Sequence, residues 1–280
     1  MAITTLDGAL AGMQPPRPLV KAITPTLVAG RPQSLWYLGG SPGVGLTPST
    51  TTSGGVALSS SSALVAGQIP HYDPPGGSNS YLARFTGTAT QAGLLLLCDR
   101  LLHCDYTTTS SGAISVTTTT AQTINTTTLP ARDSNGATAG VGVLAALEIA
   151  AAVGSGTATP SISYTGTVNG SGQTGSMVFT YVASSALGAF YPFTLAAGDT
   201  GVASIQTLTL GVSMSSGNVA LVLYRILAAL ELPGPLVPNA IDALTSGMPQ
   251  LFNGTVPFLV FIPNTTTASY ITGTYTETQG

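Results

Sequence analysis

This chain is short of charge. Asp, Glu, Lys and Arg make up 6 % of its 280 residues, against about a quarter in ordinary soluble domains. Its seven basic residues are scattered, so it lacks the clustered cations that neutralise phosphates and offers no basis for a nucleic-acid partner. Long apolar runs are missing too. The longest, residues 94–97 and 219–224, fall far below the roughly 20 residues of a membrane-crossing helix, and no membrane partner is expected. Residues 1–10 contain Asp7 and have neither a basic n-region nor a long apolar core. They do not read as a signal peptide, and synthesis in a host cytoplasm is the expectation.

Titratable chemistry is equally sparse, with two histidines and two cysteines. Cys98 and Cys104 have five residues between them and lie within or just beyond one expected strand, where pairing needs a sharp reversal, so two buried thiols are expected. Their neighbours His103 and Asp105 do not make a zinc site, because the short Cys-x-x-Cys clamp is absent. His103 and Cys104 are adjacent in a strand and point to opposite faces, which defeats a nucleophile pair. His71 beside Asp73 is the other local constellation. The segment GGSPGVG has no Lys-Ser/Thr of a phosphate loop, and Asp199 in AGDTG reads as a turn cap rather than a calcium ligand. Matches to the glycan acceptor pattern at Asn125, Asn169, Asn253 and Asn264 read as coincidental. No enzyme, catalytic residue, cofactor or metal is expected.

What is abundant is Thr, Ser and Gly, in strand-like patterns. The most orderly stretch, 190–232, holds a Thr/Ser-faced strand at 204–214 with a bulge expected near Gln206 and Thr207. A Ser-Ser-Gly-Asn turn follows, then an apolar strand at 219–230 that is expected to fold back beside the first. Helix is the competing reading for 222–232. The same design recurs in YLARFTGTAT (81–90) followed by LLLLCDRLLHC (94–104). Arg100 and Arg225 are either equivalent positions of two related halves or sheet-edge arginines with snorkelling stems. Residues 140–152 fit strand or helix, with β-branched Val141, Val143 and Ile149 favouring strand. Residues 159–167 and 174–182 predict a hairpin through Asn-Gly-Ser-Gly, and VPFLVFIP (256–263) predicts a buried run. Residues 267–276 would complete a sheet edge or donate a strand to a neighbour.

Prolines 15, 16, 18 and 25 shape the opening segment into an extended arm after a short helix within 4–13, capped by Thr5 with Asp7 in its first turn. The arm either drapes over a neighbouring chain or lies on its own domain. Residues 1–40 are read as this arm with the aromatic SLWYL segment, and 41–78 as a Gly/Pro/Ser-rich loop. Residues 79–280 are read as a β-sandwich domain with a rim insertion at 105–138, whose Thr density cannot bury a core. A helical turn at 239–244 is expected with Asn239 as its cap. The fold class is all-β, an antiparallel β-sandwich of jelly-roll-like kind with an extended N-terminal arm and long loops.

LDGALAGMQPPRPLVK, LVAGRPQSLWYLGG, the block 190–232 and PNAIDALTSGMPQLFNGTVPFLVFIP together resemble tailed-phage virion structural proteins of the head or minor structural kind. The resemblance implies a β-sandwich or jelly roll on the capsid or tail, as a trimer or other ring, with a mechanical function. The leading expectation is a capsid cement or decoration protein whose partner is the major capsid protein or another virion protein. The alternatives are a tail, neck or fibre subunit and a carbohydrate- or receptor-binding module. Interface contacts are expected at Pro15, Pro16, Arg17, Trp36, Tyr37, Tyr72, Phe252 and Phe258, since prolines and aromatics lose little entropy when fixed.

Overall fold

The computed structural model describes residues 3, 5–23, 27–46, 54–62, 65–107 and 115–280. Parts of the Gly/Pro/Ser-rich loop (47–53) and of the Thr-rich segment (108–114) lie outside the described residues. In chain order the elements are helix α1 (Leu6–Ala11) and strands β1 (Arg17–Ile23), β2 (Gln33–Ser34), β3 (Gly40–Ser41), β4 (Val56–Ala57), β5 (Ser80–Ala89) and β6 (Gly93–Thr107). Strands β7 (Ala121–Thr123), β8 (Leu144–Ala151), β9 (Ser161–Gly166), β10 (Gly170–Ser176), β11 (Phe190–Pro192), β12 (Val202–Thr209) and β13 (Asn218–Leu232) follow. The remainder is β14 (Asn239–Asp242), helix α2 (Ala243–Ser246), β15 (Gln250–Leu251), β16 (Pro257–Pro263) and β17 (Ser269–Gln279). The ladders are antiparallel, and the protein is an all-β, jelly-roll-like sandwich as the patterning predicts. Both ambiguous stretches hold strand, not helix: 144–151 within 140–152, and all of 222–232.

The chain forms two compact units, one of Met1–Gly45, Ser59–Asp99 and Ile226–Gly280, the other of Leu46–Leu58 and Arg100–Arg225. The division falls within the two 15-residue strands, between Asp99 and Arg100 in β6 and between Arg225 and Ile226 in β13.

In the first unit one sheet has the order β14-β5-β17-β1-β3, with β15 also on β5. Its inner face meets apolar side chains of β6 and β13. A Cβ added at Gly87 would stand 3.1 Å from Leu230, 3.4 Å from Leu232 and 3.6 Å from Leu95, so the leucines close over a position that has no side chain of its own. The opening segment belongs to this sheet. β1 pairs residue for residue with β17, whereas β3 covers only Val20 and Lys21. Pro18 therefore sits where the outer edge of β1 has no partner, the place a sheet tolerates proline. β17 lies between β5 and β1, which corrects the expectation of an edge or donated strand. α1 starts at the expected cap, Thr5 Oγ1 accepting from Gly8 N at 3.1 Å. The second helical turn begins later than expected, with Asp242 and not Asn239 as its cap. Asp242 accepts from Leu244 N and Thr245 N, and Thr245 Oγ1 accepts from Asp242 N.

In the second unit the sheet β10-β9-β12-β7 packs on β11-β8-β13. Ile162, Tyr164, Ile205 and Leu208 from the first sheet share one core with Leu147, Ile149, Val219, Leu221 and Leu223 from the other. A hairpin of β9 and β10 forms where one is expected, but its second strand is Gly170–Ser176, not 174–182; of two register shifts in β12, one falls at Gln206 as expected. Val116, Ile124 and Leu129 of the Thr-rich stretch are buried in this core, contrary to the expectation that the stretch cannot contribute one.

Both expected hairpins of a polar-faced and an apolar strand are absent. β12 pairs with β9 and β7 while β13 pairs with β8; β5 pairs with β17, β14 and β15 while β6 pairs with β16 and β4. The turns between them are corners from one sheet to the other. An amphipathic strand has one dry face and so belongs to a covering sheet; a strand that is dry on both faces must be covered.

Lys21 is fully buried in β1, its Nζ donating to Leu38 O at 2.9 Å and Gly43 O at 3.2 Å. Burial lowers its pKa to about 8 from 10.5. The folded state then releases this proton at lower pH than the unfolded state, so stability rises from about pH 8 towards 10.5. The neutral amine keeps two N–H donors for its two carbonyls. Melting temperatures of the native protein and of Lys21→Met measured between pH 7 and 9.5 should diverge in slope, with the native protein gaining relative to the variant as pH increases. Parallel curves would refute the assignment.

Candidate functional site

Of seven basic and ten acidic side chains, nine are buried: Lys21, Asp99, Arg100, Asp105, Arg132, Asp133, Glu148, Arg225 and Glu277. A buried charge is tolerable only if paired or hydrogen-bonded, and the printed partners show how. In the second unit Arg100 Nη1 donates to Glu148 Oε1 at 3.3 Å and Nη2 donates to Oε2. Glu148 pairs in register with Ala220 of β13, and β13 runs between β8 and β6. Arg132 donates to Leu58 O (2.8 Å) and Arg100 O (3.1 Å). Next to it Asp133 accepts from Asn135, Ala137, Gly140 and Val141 N–H groups at 2.8 to 3.2 Å, which makes Arg-Asp-Ser-Asn-Gly the turn expected. Burial first, and the Arg100 charge second, push the His103 pKa well below its ordinary value, so the ring is neutral. Arg100 and Arg225 are both buried, which removes the reading of edge arginines with solvated heads.

In the first unit His71 brings together residues from distant parts of the chain. Its side chain is fully buried, with Nδ1 2.9 Å from Glu277 Oε1 and Nε2 3.4 Å from Asp73 Oδ1. Tyr72 N donates to Glu277 Oε2 at 3.2 Å, Ser60 Oγ to Asp73 Oδ2 at 3.0 Å and Gly254 N to Asp73 Oδ1 at 2.8 Å. The Arg17 guanidinium stacks 3.8 Å above the Tyr72 ring. Ser60 faces the carboxylate and Ser80 Oγ donates to Tyr72 O at 3.1 Å, so these hydroxyls, with His71 and Tyr72, tie the segment around His71 to β1 and β17. Among the described residues no group of three or more His, Cys, Asp or Glu is placed to hold a metal ion. Cys98 and Cys104 are buried thiols not joined in a disulfide, and burial, with Asp99 nearby, raises the Cys98 pKa. Asp199 caps the β9–β10 turn, accepting from Val168 N at 3.0 Å and from the Tyr164 hydroxyl at 3.1 Å.

The residues expected at an interface divide into two sets. Trp36, Tyr37 and Phe258 are buried, Trp36 meeting Phe258 edge to face at 6.1 Å. A Cβ on Gly45 would stand 2.3 Å from the Trp36 ring nitrogen, so the indole is walled by bare backbone and presents no platform to a ligand. Arg17 and Tyr72 are brought together in the stack above; Phe252 is half-buried; Pro15 and Pro16 are exposed.

The surface feature that sequence reasoning missed is apolar. Leu6, Leu10, Met13 and Leu244 are 69, 60, 40 and 89 % exposed, and with Ala9 they line hollows of about 230 and 260 Å³ beside α1 and α2. A signal existed: Leu6 and Leu10 fall at i and i+4 on a helix of six residues, too short to bury both flanks.

No protein-family model matches the chain, and no curated protein matches it. Among solved structures it is similar to the crystal structure of the infectious bursal disease virus VP2 subviral particle at 11 % identity, over 95 % of this chain and 81 % of that chain, with a TM-score of 0.17. A likeness at that score carries no argument about fold or function.

If the Arg100–Glu148 pair is a structural tie, Glu148→Ala should destabilise the protein by about 3–5 kcal/mol by stranding a buried guanidinium. The double variant Arg100→Met, Glu148→Leu should recover most of that loss. Urea denaturation measures both, and a single variant as stable as the native chain would remove the tie.

Proposed function

We propose that this protein is a non-enzymatic virion structural protein that binds the outer surface of a capsid and stabilises the shell as a cement or decoration protein. The observation that carries the reading is the near-neutral exterior. With nine charged side chains buried, only Asp7, Arg17, Arg31, Asp73, Arg84, Asp199, Glu231 and Asp242 remain to keep copies and partners apart. A surface so poor in repulsion favours close packing against other subunits. The resemblance of the segments 6–21, 27–40, 190–232 and 238–263 to tailed-phage structural proteins supplies the particle. On this reading the chain is a homo-oligomer, most simply a trimer, its partner is the major capsid protein, and Pro15, Pro16, Arg17, Tyr72 and Phe252 remain accessible for contact.

Binding at many equivalent sites would stabilise the assembled shell by mass action. Purified protein added to shells that lack it should therefore bind saturably and raise their disruption temperature. End-to-end polymerisation, or a copy number near that of one tail ring, would assign the protein to the tail or neck instead. A chain that is monomeric at all concentrations and binds neither shell nor tail would sink both readings.

A further inference from the structure

The apolar ridge beside α1 and α2 has the features of a contact surface between copies of this chain. Hydrogen bonds within the single chain already shape it. α1 is bonded to β17 through Thr278 Oγ1 donating to Ala9 O at 2.5 Å and Gln279 N donating to Gly12 O at 3.0 Å, while α2 is fixed by the reciprocal Asp242–Thr245 bonds. A preorganised face loses little conformational entropy on association. On it Leu6 and Leu244 stand proud, 69 and 89 % exposed, and they are shared by the two flanking hollows of about 230 and 260 Å³. Projection and recess therefore occur side by side on one surface, the arrangement that lets a surface complement itself.

The charges select the occupant. The lip of the 230 Å³ hollow carries one cation, Arg84, and one anion, Asp242, at directly paired positions of β5 and β14. The Asp242 carboxyl is held below its ordinary pKa, first by the Thr245 N–H, so it stays ionised. A partner of uniform sign meets repulsion from one of the two; a second copy can set its Asp242 against Arg84 and its Arg84 against Asp242. We infer that this face is the self-association surface, Leu244 of each copy entering the hollow beside α1 of its neighbour, with Arg84 and Asp242 matched across the contact. The reciprocal match makes the contact isologous, which closes at two copies; the inference rests on the reading above only for association itself and sets a dimer in place of its trimer.

The test uses the purified full chain without shells. Sedimentation equilibrium should show the native protein associated, and Leu244→Asp and Leu10→Asp, each replacing an exposed side chain, should weaken association by about tenfold or more with melting temperatures nearly unchanged. Arg84→Glu should weaken it too, and less so in high salt. A native chain that stays monomeric, or variants with undiminished association, overturns the inference. Shell binding by the same proteins separates the two claims. Association through Leu244 without shell binding would remove the cement function and leave this surface standing. A monomer that binds shells through Leu244 would assign the face to the coat protein and refute self-association.

Discussion

The structure depends on one constraint: β13 is dry on both faces over residues 219–225. A strand in that position has no water for its backbone groups, so its N–H and C=O groups must be met by strands on either side, and the sheet order places β8 and β6 there. Its side chains on both faces need cover as well. A strand with one polar face, such as β12, cannot occupy the interior beside it; it makes a sheet that lies over it. Beyond Arg225 the demand relaxes, and Ile226, Ala229 and Glu231 are exposed.

Scarcity of charge and its burial are two sides of the same design. Thr and Ser keep strand faces wettable without repelling a neighbour, and the few charges are used as internal fasteners. Arg100 with Glu148, Asp133 with four backbone amides and His71 with Glu277 each join segments distant in sequence or close a turn. A buried ion pair adds little net stability compared with an apolar replacement, but an arrangement that separates its partners strands a buried charge at high cost. In strands built from repetitive Thr, Ala and Leu, where slippage costs little, that penalty has obvious use.

Local features were the legible ones. Thr5 as a cap, the bulge at Gln206, the β9–β10 turn and the strand character of 144–151 all follow from side-chain chemistry within a few residues. Pairing was not legible. The turns at 90–93 and 210–217 carry good hairpin residues, yet a corner between sheets uses the same Gly, Ser and Asn, and only the burial of both faces of the following strand distinguishes the two. The site followed the same division. Lone Glu148 in an apolar run and Arg100 in another were visible separately, but they stand 48 positions apart. Arg17 and Tyr72 were singled out individually, whereas their stacking, and Glu277 beneath His71, depend on strand order.

The position of β17 has a consequence for biosynthesis. It lies between β5 and β1 and pairs with both along most of its length, although it follows every other strand of that sheet in the chain. As the polypeptide leaves the ribosome, β1 and β5 must wait as unpaired edges until the intervening strand has been made. The first unit therefore closes late and at high contact order, with slow, concentration-sensitive folding as the cost. The α1 surface, bonded to the same strand through Thr278 and Gln279, is complete only then. A chain interrupted before β17 would lack this support, so the fold itself withholds a finished contact face from unfinished molecules.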